Sequence, residues 1–200
     1  MLLSKSFLLQ EAEKRSITDH GMKRDQIIYE NAELFKNNAQ KMYDIFLSHS
    51  SLDKRLVLTL VELFNDAGYS VYVDWIEDRH LDRSTVSKET AEVLIKRMSG
   101  SRGLAYVATS NATNSKWCPW ELGYFDGNKK SRCCVLPVVE SDSFRGQEYL
   151  GLYPYIRYSK VKGRNQDEFW VYNQGTDEYV ILKKWLDGQN PYNHKVHDGK

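Results

Sequence analysis

The fold is decided by the stretch YDIFLSHSSLDKRLVLTLVELFNDAG, residues 43–68. It opens with a short apolar run, YDIFL, which is typical of a buried β-strand and ends in the polar residues SHSS. The residues that follow form an amphipathic helical pattern with a stop signal at Gly68. The apolar face of that helix consists of Leu56, Leu60, Leu63 and Phe64. The stretch therefore predicts a strand, a loop and a helix in succession.

The same alternation of strand and helix continues to about residue 140. Further strand-like runs are SVYVDW (70–75), GLAYVAT (103–109) and CCVLPVV (133–139), and helix-like segments lie between them. This alternation predicts an α/β fold, in which a parallel sheet carries helices on both faces. Ligands of such sheets bind beyond the carboxyl ends of the strands. The polar residues that follow each strand are therefore the first candidates for a functional site.

The segment before this region differs from it in character. Residues 1–41 are polar, with apolar residues at helical spacing, most clearly in DQIIYENAELFKNNAQKM (25–42). We expect these residues to form an N-terminal helical extension that covers a core or contacts another chain.

The segment after it is rich in Tyr and Trp. Within residues 141–188 we expect loops, a strand near EFWVY (168–172) and a helix over TDEYVILKKWLDG, capped by Thr176. Residues 189–200 are typical of a flexible tail. The prediction is thus a single domain over residues 42–188, with its core in the first hundred of them.

Composition restricts the class of protein. The chain has 28 Lys and Arg against 27 Asp and Glu, whereas proteins that bind nucleic acid usually carry a basic excess. Aromatic residues make up 12% of it, more than a disordered chain normally holds. No run approaches the ~18 apolar residues that span a membrane, and the start MLLSKSFLLQEAEKR is too quickly charged for a signal peptide. We expect a soluble cytoplasmic enzyme or binding module that engages neither nucleic acid nor membrane.

The loop SHSSLDK places small hydroxyl side chains between a strand and a helix. Ser50 and Asp53 fit a helix-capping pattern, and free backbone N–H groups at a helix start can also hold a phosphate. From this segment alone, a capped helix with nothing bound is the favoured interpretation. The common nucleotide fingerprints GxGxxG and GxxxxGK[ST] do not occur.

The segment NSKWCPWELGYFDG is the densest cluster of chemically useful side chains. Trp117 and Glu121 are four residues apart and would share one face of a helix, unless Pro119 begins that helix and leaves Trp117 outside it. In both cases Glu121 lies near a helix N-terminus, where the dipole favours its ionised form. A carboxylate beside aromatic rings can stabilise the oxocarbenium-like centre of a breaking glycosidic bond. The alternative, equally supported, is a glutamate that serves the helix cap beside core tryptophans.

The remaining polar residues are weaker candidates. Asp74 follows a strand and could bind a ribose or cap the next loop, whereas His80 lies in a charged run that is typical of a solvated loop. His194 and His197 have i, i+3 spacing but fall in the expected tail, so we predict no metal site. The three cysteines lack CxxC spacing and are interpreted as small buried hydrophobes: Cys118, Cys133 and Cys134.

Taken together, these segments resemble the TIR (Toll/interleukin-1 receptor) domain in its prokaryotic form, most closely that of Thoeris-type antiphage systems. YDIFLSHSSLDK is similar to the first strand and AA loop of the family, and VYVDW to the second strand and the start of the BB loop. SKWCPWEL is similar to the family's WxxxE segment. The resemblance covers about residues 42–140 and implies a flavodoxin-like fold with a five-stranded parallel sheet.

The resemblance also implies an activity, which is cleavage of the nicotinamide–ribose bond of NAD⁺. Glu121 would be the catalytic residue. The other implied site residues would line the substrate: Ser48, His49, Ser50, Asp74, Trp75 and Trp117. NAD⁺ would be the substrate, with no permanently bound cofactor and no metal.

The family suggests partners as well. We expect a homo-oligomer through TIR–TIR contacts, a small acceptor such as histidine, and a separate effector reached by a diffusible ADP-ribose derivative. Two other hypotheses remain open at this point. One is a TIR adaptor without catalysis, and the other is an enzyme similar to nucleoside deoxyribosyltransferases, which share the fold and use a carboxylate at C1′.

Overall fold

A computed structural model of the chain describes residues 2–18, 42–78, 86–128, 132–140, 148–161 and 167–194. The predicted helix over residues 25–42 therefore lies almost wholly outside the described residues, as do His80 and His197. No helix within the described ranges is both long enough and apolar enough to cross a membrane.

The strands of these ranges join in one sheet. Their bounds are β1 (Leu3–Ser4), β2 (Tyr43–Ser48), β3 (Val71–Tyr72), β4 (Ser101–Ala108), β5 (Cys133–Val139), β6 (Tyr155–Lys160), β7 (Asp167–Tyr172), β8 (Glu178–Ile181) and β9 (Tyr192–Asn193). The helices are α1 (Lys5–Lys14), α2 (Lys54–Asp66), α3 (Asp74–Glu77), α4 (Lys88–Ser99), α5 (Trp117–Asn128) and α6 (Leu182–Leu186). Short 3₁₀ turns at Ser51–Asp53, Ala112–Asn114 and Glu148–Leu152 complete the described elements.

Five neighbouring strands of the sheet are parallel, in the order β3-β2-β4-β5-β6. This is the flavodoxin-like order, and it confirms the predicted α/β fold. The chain runs from β2 to β3 on one side and then to β4 on the other side of β2. The topological switch point therefore lies between the carboxyl ends of β2 and β4, where folds of this class bind ligands.

The sheet is larger than the five strands that the sequence led us to expect. Beyond β6 it continues through antiparallel β7, β8 and β9, and the short β1 pairs with the carboxyl end of β5. The Tyr- and Trp-rich segment thus extends the sheet through antiparallel pairing, and burial alternates along β7. One face of β7 buries Phe169 and Val171, while Trp170 and Tyr172 on the other face remain partly exposed.

The predicted helix from Thr176 to residue 188 is wrong in its first half. Glu178–Ile181 forms strand β8, which pairs with β7, and only Leu182–Leu186 is helical. Thr176 belongs to the β7–β8 turn: its hydroxyl accepts from Glu178 N at 3.1 Å, next to Gly175 at φ +70°. Ladder pairing and the burial of Val180 override the helical propensity of this segment. Residues 189–194, the start of the predicted tail, include strand β9.

Helices cover both faces of the sheet, as predicted. Residues of β2 serve two separate cores: Ile45 and Leu47 join one, and Phe46 joins the other together with Tyr43 at the start of the strand. The first core includes side chains of α1, α2 and α6 together with Phe169, and the second includes α4 and α5. Since the antiparallel strands share the first core, they are part of the same folded unit.

Candidate active site

A buried serine–glutamate pair lies at the switch point. Ser48 is the last residue of β2, and its hydroxyl donates to Oε2 of Glu121 at 2.6 Å. Ser48 and Glu121 are 1% and 0% exposed. A hydroxyl–carboxylate bond of this length falls in the charge-assisted range. The pair joins two residues that are 73 positions apart in sequence.

The start of α5 places Glu121. The hydroxyl of Ser115 accepts from Trp117 N at 3.3 Å and from Cys118 N at 3.2 Å, so the helix begins at Trp117. Pro119 is the third residue of the helix, where a backbone N–H has no intrahelical partner to lose. Of the two boundaries considered, the structure therefore has the one in which Trp117 and Glu121 share a helix face. Trp117 is buried and packs edge-to-face on Trp120, with the ring centroids 5.4 Å apart.

A second polar group, next to the first, contains His49, Trp75 and Asp74. Trp75 Nε1 donates to His49 Nε2 at 2.8 Å, and His49 Nδ1 lies 2.7 Å from the carbonyl oxygen of Leu47. Because an indole N–H only donates, Nε2 must carry no proton, so Nδ1 is the protonated nitrogen and the ring is neutral. A carboxylate oxygen of the buried Asp74 lies 3.4 Å from the same Nε2.

The helix start after β2 is capped differently from the predicted Ser50–Asp53 pattern. The Ser50 hydroxyl accepts from Leu52 N at 3.3 Å, as expected of a cap. Asp53, however, turns away from Ser50. Its two carboxylate oxygens accept from Thr109 Oγ1 and from Asn111 Nδ2, each at 2.6 Å. Both donors follow β4, across the switch point.

Tyr106 also belongs to this region, although it is not among the site residues inferred from the sequence. It lies on β4, and burial raises the pKa of its phenol well above the ordinary value, with smaller contributions from Cys118, Tyr149 and Glu121. The phenol is therefore neutral beside the carboxylate. Tyr106, Thr109 and Asn111 all stand at or near the end of a strand, which is the signal that could have identified them.

Metal and thiol chemistry find no support in the described part of the chain. It contains no group of three or more His, Cys, Asp or Glu side chains placed to hold a metal ion. Cys118, Cys133 and Cys134 are buried and form no disulfide, and burial raises the pKa of Cys133 and Cys134. They accordingly behave as the small hydrophobes that the sequence predicted.

Comparison with known families agrees with this architecture. A family model described as "TIR domain" matches residues 45–169, more than half of the chain. The chain belongs to the TIR-domain family. All the site residues inferred from the family resemblance lie in the matched part of this TIR domain, from Ser48 to Glu121.

Two curated relatives of this TIR domain come from bacteria. One, from Bacillus cereus (strain MSX-D12), is named "Probable 3' cyclic ADP-D-ribose synthase ThsB'" and is 49% identical over 158 residues, covering 77% of this chain and 81% of the relative. The other, from Cytobacillus dafuensis, is named "Putative cyclic ADP-D-ribose synthase TIR2" and is 37% identical over 102 residues, covering 50% of this chain and 27% of the relative. The resemblance to prokaryotic TIR proteins is thereby confirmed.

Proposed function

We propose that this TIR domain cleaves the nicotinamide–ribose bond of NAD⁺ and closes the product into a cyclic ADP-ribose for signalling in antiphage defence. The observation that carries the proposal is the buried Glu121 carboxylate, held by Ser48 at the switch point. The names of both relatives, as cyclic ADP-D-ribose synthases, support the same reaction class.

The chemistry requires a negative charge close to C1′ of the nicotinamide ribose. When the C1′–nitrogen bond breaks, its electron pair leaves with neutral nicotinamide, and positive charge develops on the ribose. The Glu121 carboxylate is the group that stabilises this charge, and it is pre-oriented by the Ser48 hydroxyl. A hydroxyl of the adenosine ribose then attacks C1′ and releases one proton, which closes the ring. A 3′ linkage requires the 3′ hydroxyl in this step.

The other site residues have supporting roles in the proposal. Trp117, one turn before Glu121, forms an aromatic wall of the nicotinamide site. Ser48, His49 and Ser50 line the site on the AA-loop side. Asp74 and Trp75 line it from the start of the BB loop, where Trp75 holds His49. Most of these side chains are buried, which limits the access of water and favours cyclisation over hydrolysis.

The proposal extends to partners. NAD⁺ acts as a substrate, so no permanently bound cofactor is required, and the diffusible product activates a separate effector protein in the cytoplasm. TIR–TIR contacts between copies of the chain form a homo-oligomer. A small acceptor such as histidine could replace the ribose hydroxyl in the attack on C1′ and would yield a conjugate.

Product analysis tests the proposal. The purified full chain is incubated with NAD⁺ over a range of protein concentrations, with and without histidine, and products are identified by mass spectrometry. We expect nicotinamide and a cyclic ADP-ribose from the wild type, and neither from Glu121→Gln. Ser101→Ala, which removes a buried serine bonded to Arg97 O at 2.9 Å, is the control that retains activity. The proposal is overturned by a wild type that releases no nicotinamide, by an equally active Glu121→Gln, or by turnover of free deoxynucleosides instead of NAD⁺.

A further inference from the structure

Asp53 makes a second connection across the switch point, beside the Ser48–Glu121 pair. Asp53 is 7% exposed, and its carboxylate receives one hydrogen bond on each oxygen, from Thr109 and from Asn111. Asp53 belongs to the loop that follows β2, whereas both donors belong to the loop that follows β4. The carboxylate therefore joins the two loops that border the proposed substrate crevice.

We propose that Asp53 is a positioning residue, which sets the place of Glu121 relative to Ser48 without touching the substrate. This inference rests on the proposed function, since it assigns to Asp53 a part in the same reaction. It concerns geometry: Asp53 holds the loop that leads into α5, and α5 carries Glu121.

A continuous series of hydrogen bonds leads from Asp53 to α5. Thr109 donates to Asp53 and at the same time accepts from Ala112 N at 3.1 Å, which fixes the start of the 3₁₀ turn Ala112–Asn114. The backbone N–H of Ser115 donates to Ala112 O at 3.1 Å, which closes that turn.

Ser115 completes the series. Its hydroxyl caps α5 by accepting from Trp117 N and Cys118 N. Glu121 lies one turn after Trp117. A shift of the Asp53 contact is therefore transmitted to the Glu121 carboxylate through this series of hydrogen-bonded groups.

The energetics favour a fixed geometry at Asp53. A buried carboxylate is stable only when its oxygens are hydrogen-bonded, and bonds to a charged acceptor are about twice as strong as neutral ones. Thr109 donates to one carboxylate oxygen of Asp53 and Asn111 donates to the other. Together the two bonds fix the orientation of the carboxylate plane. Displacement of a catalytic group by about 1 Å can cost about 100-fold in rate, so loss of this contact is expected to act on catalysis.

A donor–acceptor exchange tests the inference. In Asp53→Asn the side chain loses its charge and one of its two acceptor oxygens, so the charge-assisted bonds from Thr109 and Asn111 cannot both persist as they are. In Asn111→Asp two carboxylates face and repel each other, because Asn111 Nδ2 and Asp53 Oδ1 lie only 2.6 Å apart in the wild type. In the double variant D53N/N111D the amide at position 53 donates to the carboxylate at position 111, so the hydrogen bond is restored in the reverse direction. Thr109 can still donate to the amide oxygen at position 53. Steady-state nicotinamide release from NAD⁺ is measured for each variant, at a temperature where circular dichroism shows all of them folded.

We expect kcat to fall about 10-fold or more in D53N and further in N111D, with KM changed much less, and to recover most of the loss in the double variant. Asp44→Asn is the matched control. Asp44 lies at the opposite end of β2 and accepts from Ser70 N at 2.9 Å and from Arg102 Nη1 at 2.9 Å, so its loss lowers stability and leaves kcat unchanged.

The outcomes separate this inference from the proposed function. If the wild type turns over NAD⁺ and Glu121→Gln does not, but D53N keeps the wild-type kcat, Asp53 is not a positioning residue while the proposed function stands. The same conclusion follows if D44N lowers kcat as much as D53N, or if the double variant fails to recover although it is folded. If Glu121→Gln is fully active, the proposed function itself is wrong.

Discussion

The indole N–H of Trp75 donates to Nε2 of His49 over 2.8 Å and thereby fixes the imidazole in its Nδ1-protonated neutral form. The bond connects the loop after β2 with the residues that follow β3. Two neighbouring loops of the proposed site are thus joined through one histidine ring. Lys54 Nζ lies 5.9 Å from the centre of the Trp75 ring, which adds a cation–π contact to the same tryptophan.

Trp75→Phe should reduce activity through His49. The phenyl ring preserves most of the packing but lacks the N–H donor, and a hydrogen bond of this kind contributes about 1 kcal/mol, or about fivefold. We expect kcat/KM for NAD⁺ to fall by about that factor. Nitrogen NMR of the imidazole should show a mixture of tautomers in place of one. An unchanged tautomer together with an unchanged rate would contradict the assigned role of the bond.

Ser48→Ala should lower kcat more strongly. The substitution removes the hydroxyl that donates to the buried Glu121 carboxylate, and hydrogen bonds to charged groups are worth about 1.5–3 kcal/mol. We expect a loss of at least about tenfold in nicotinamide release. Ser101→Ala, a buried serine at the start of β4, serves as the control for loss of a buried hydroxyl. Equal rates in both variants would show that the Ser48–Glu121 bond has no catalytic importance.

Stability at high pH should depend on Tyr158. Burial is the main cause that raises the pKa of Tyr158 to about 12 in the folded chain, from about 10 when unfolded. The unfolded chain therefore loses this proton first, and the free energy of unfolding should decrease as the pH rises from about 10 to about 12. In Tyr158→Phe this decrease should be smaller, as measured by urea unfolding at several pH values. A variant with the same slope as the wild type would show that Tyr158 does not contribute.

Phe169→Ala should destabilise the whole domain. Phe169 of β7 is fully buried and stacks on Phe64 of α2, with the ring centroids 4.0 Å apart. Truncation of a buried phenylalanine costs about 3–5 kcal/mol. We expect one cooperative unfolding transition at lower denaturant concentration, while Leu152→Ala at an 80% exposed position leaves it nearly unchanged. Two separate transitions would show that the antiparallel strands unfold independently of the parallel sheet.

The core of the fold was predictable because its signals are local. The strand at 43–47, the helix that ends before Gly68 and the strand at 103–109 each carry their own hydrophobic period, and the structure has an element at each. The predicted helix at Glu178–Ile181 is wrong because the deciding signal lies outside that segment. Its apolar residues suit a helix as well as a strand, and antiparallel pairing with the preceding strand β7 decided between them.

The sequence by itself determined the α/β class, the family and the position of Glu121 near a helix start, because hydrophobic period and motif order reside in neighbouring residues. Only the tertiary structure decided that Glu121 meets Ser48, that Asp53 bonds to Thr109 and Asn111, and that the aromatic-rich segment extends the sheet. A buried polar side chain must find a partner when the chain folds, and the sequence pattern around Asp53 is equally compatible with a local cap. The choice between a local and a distant partner depends on where the strands of the sheet bring the loops together.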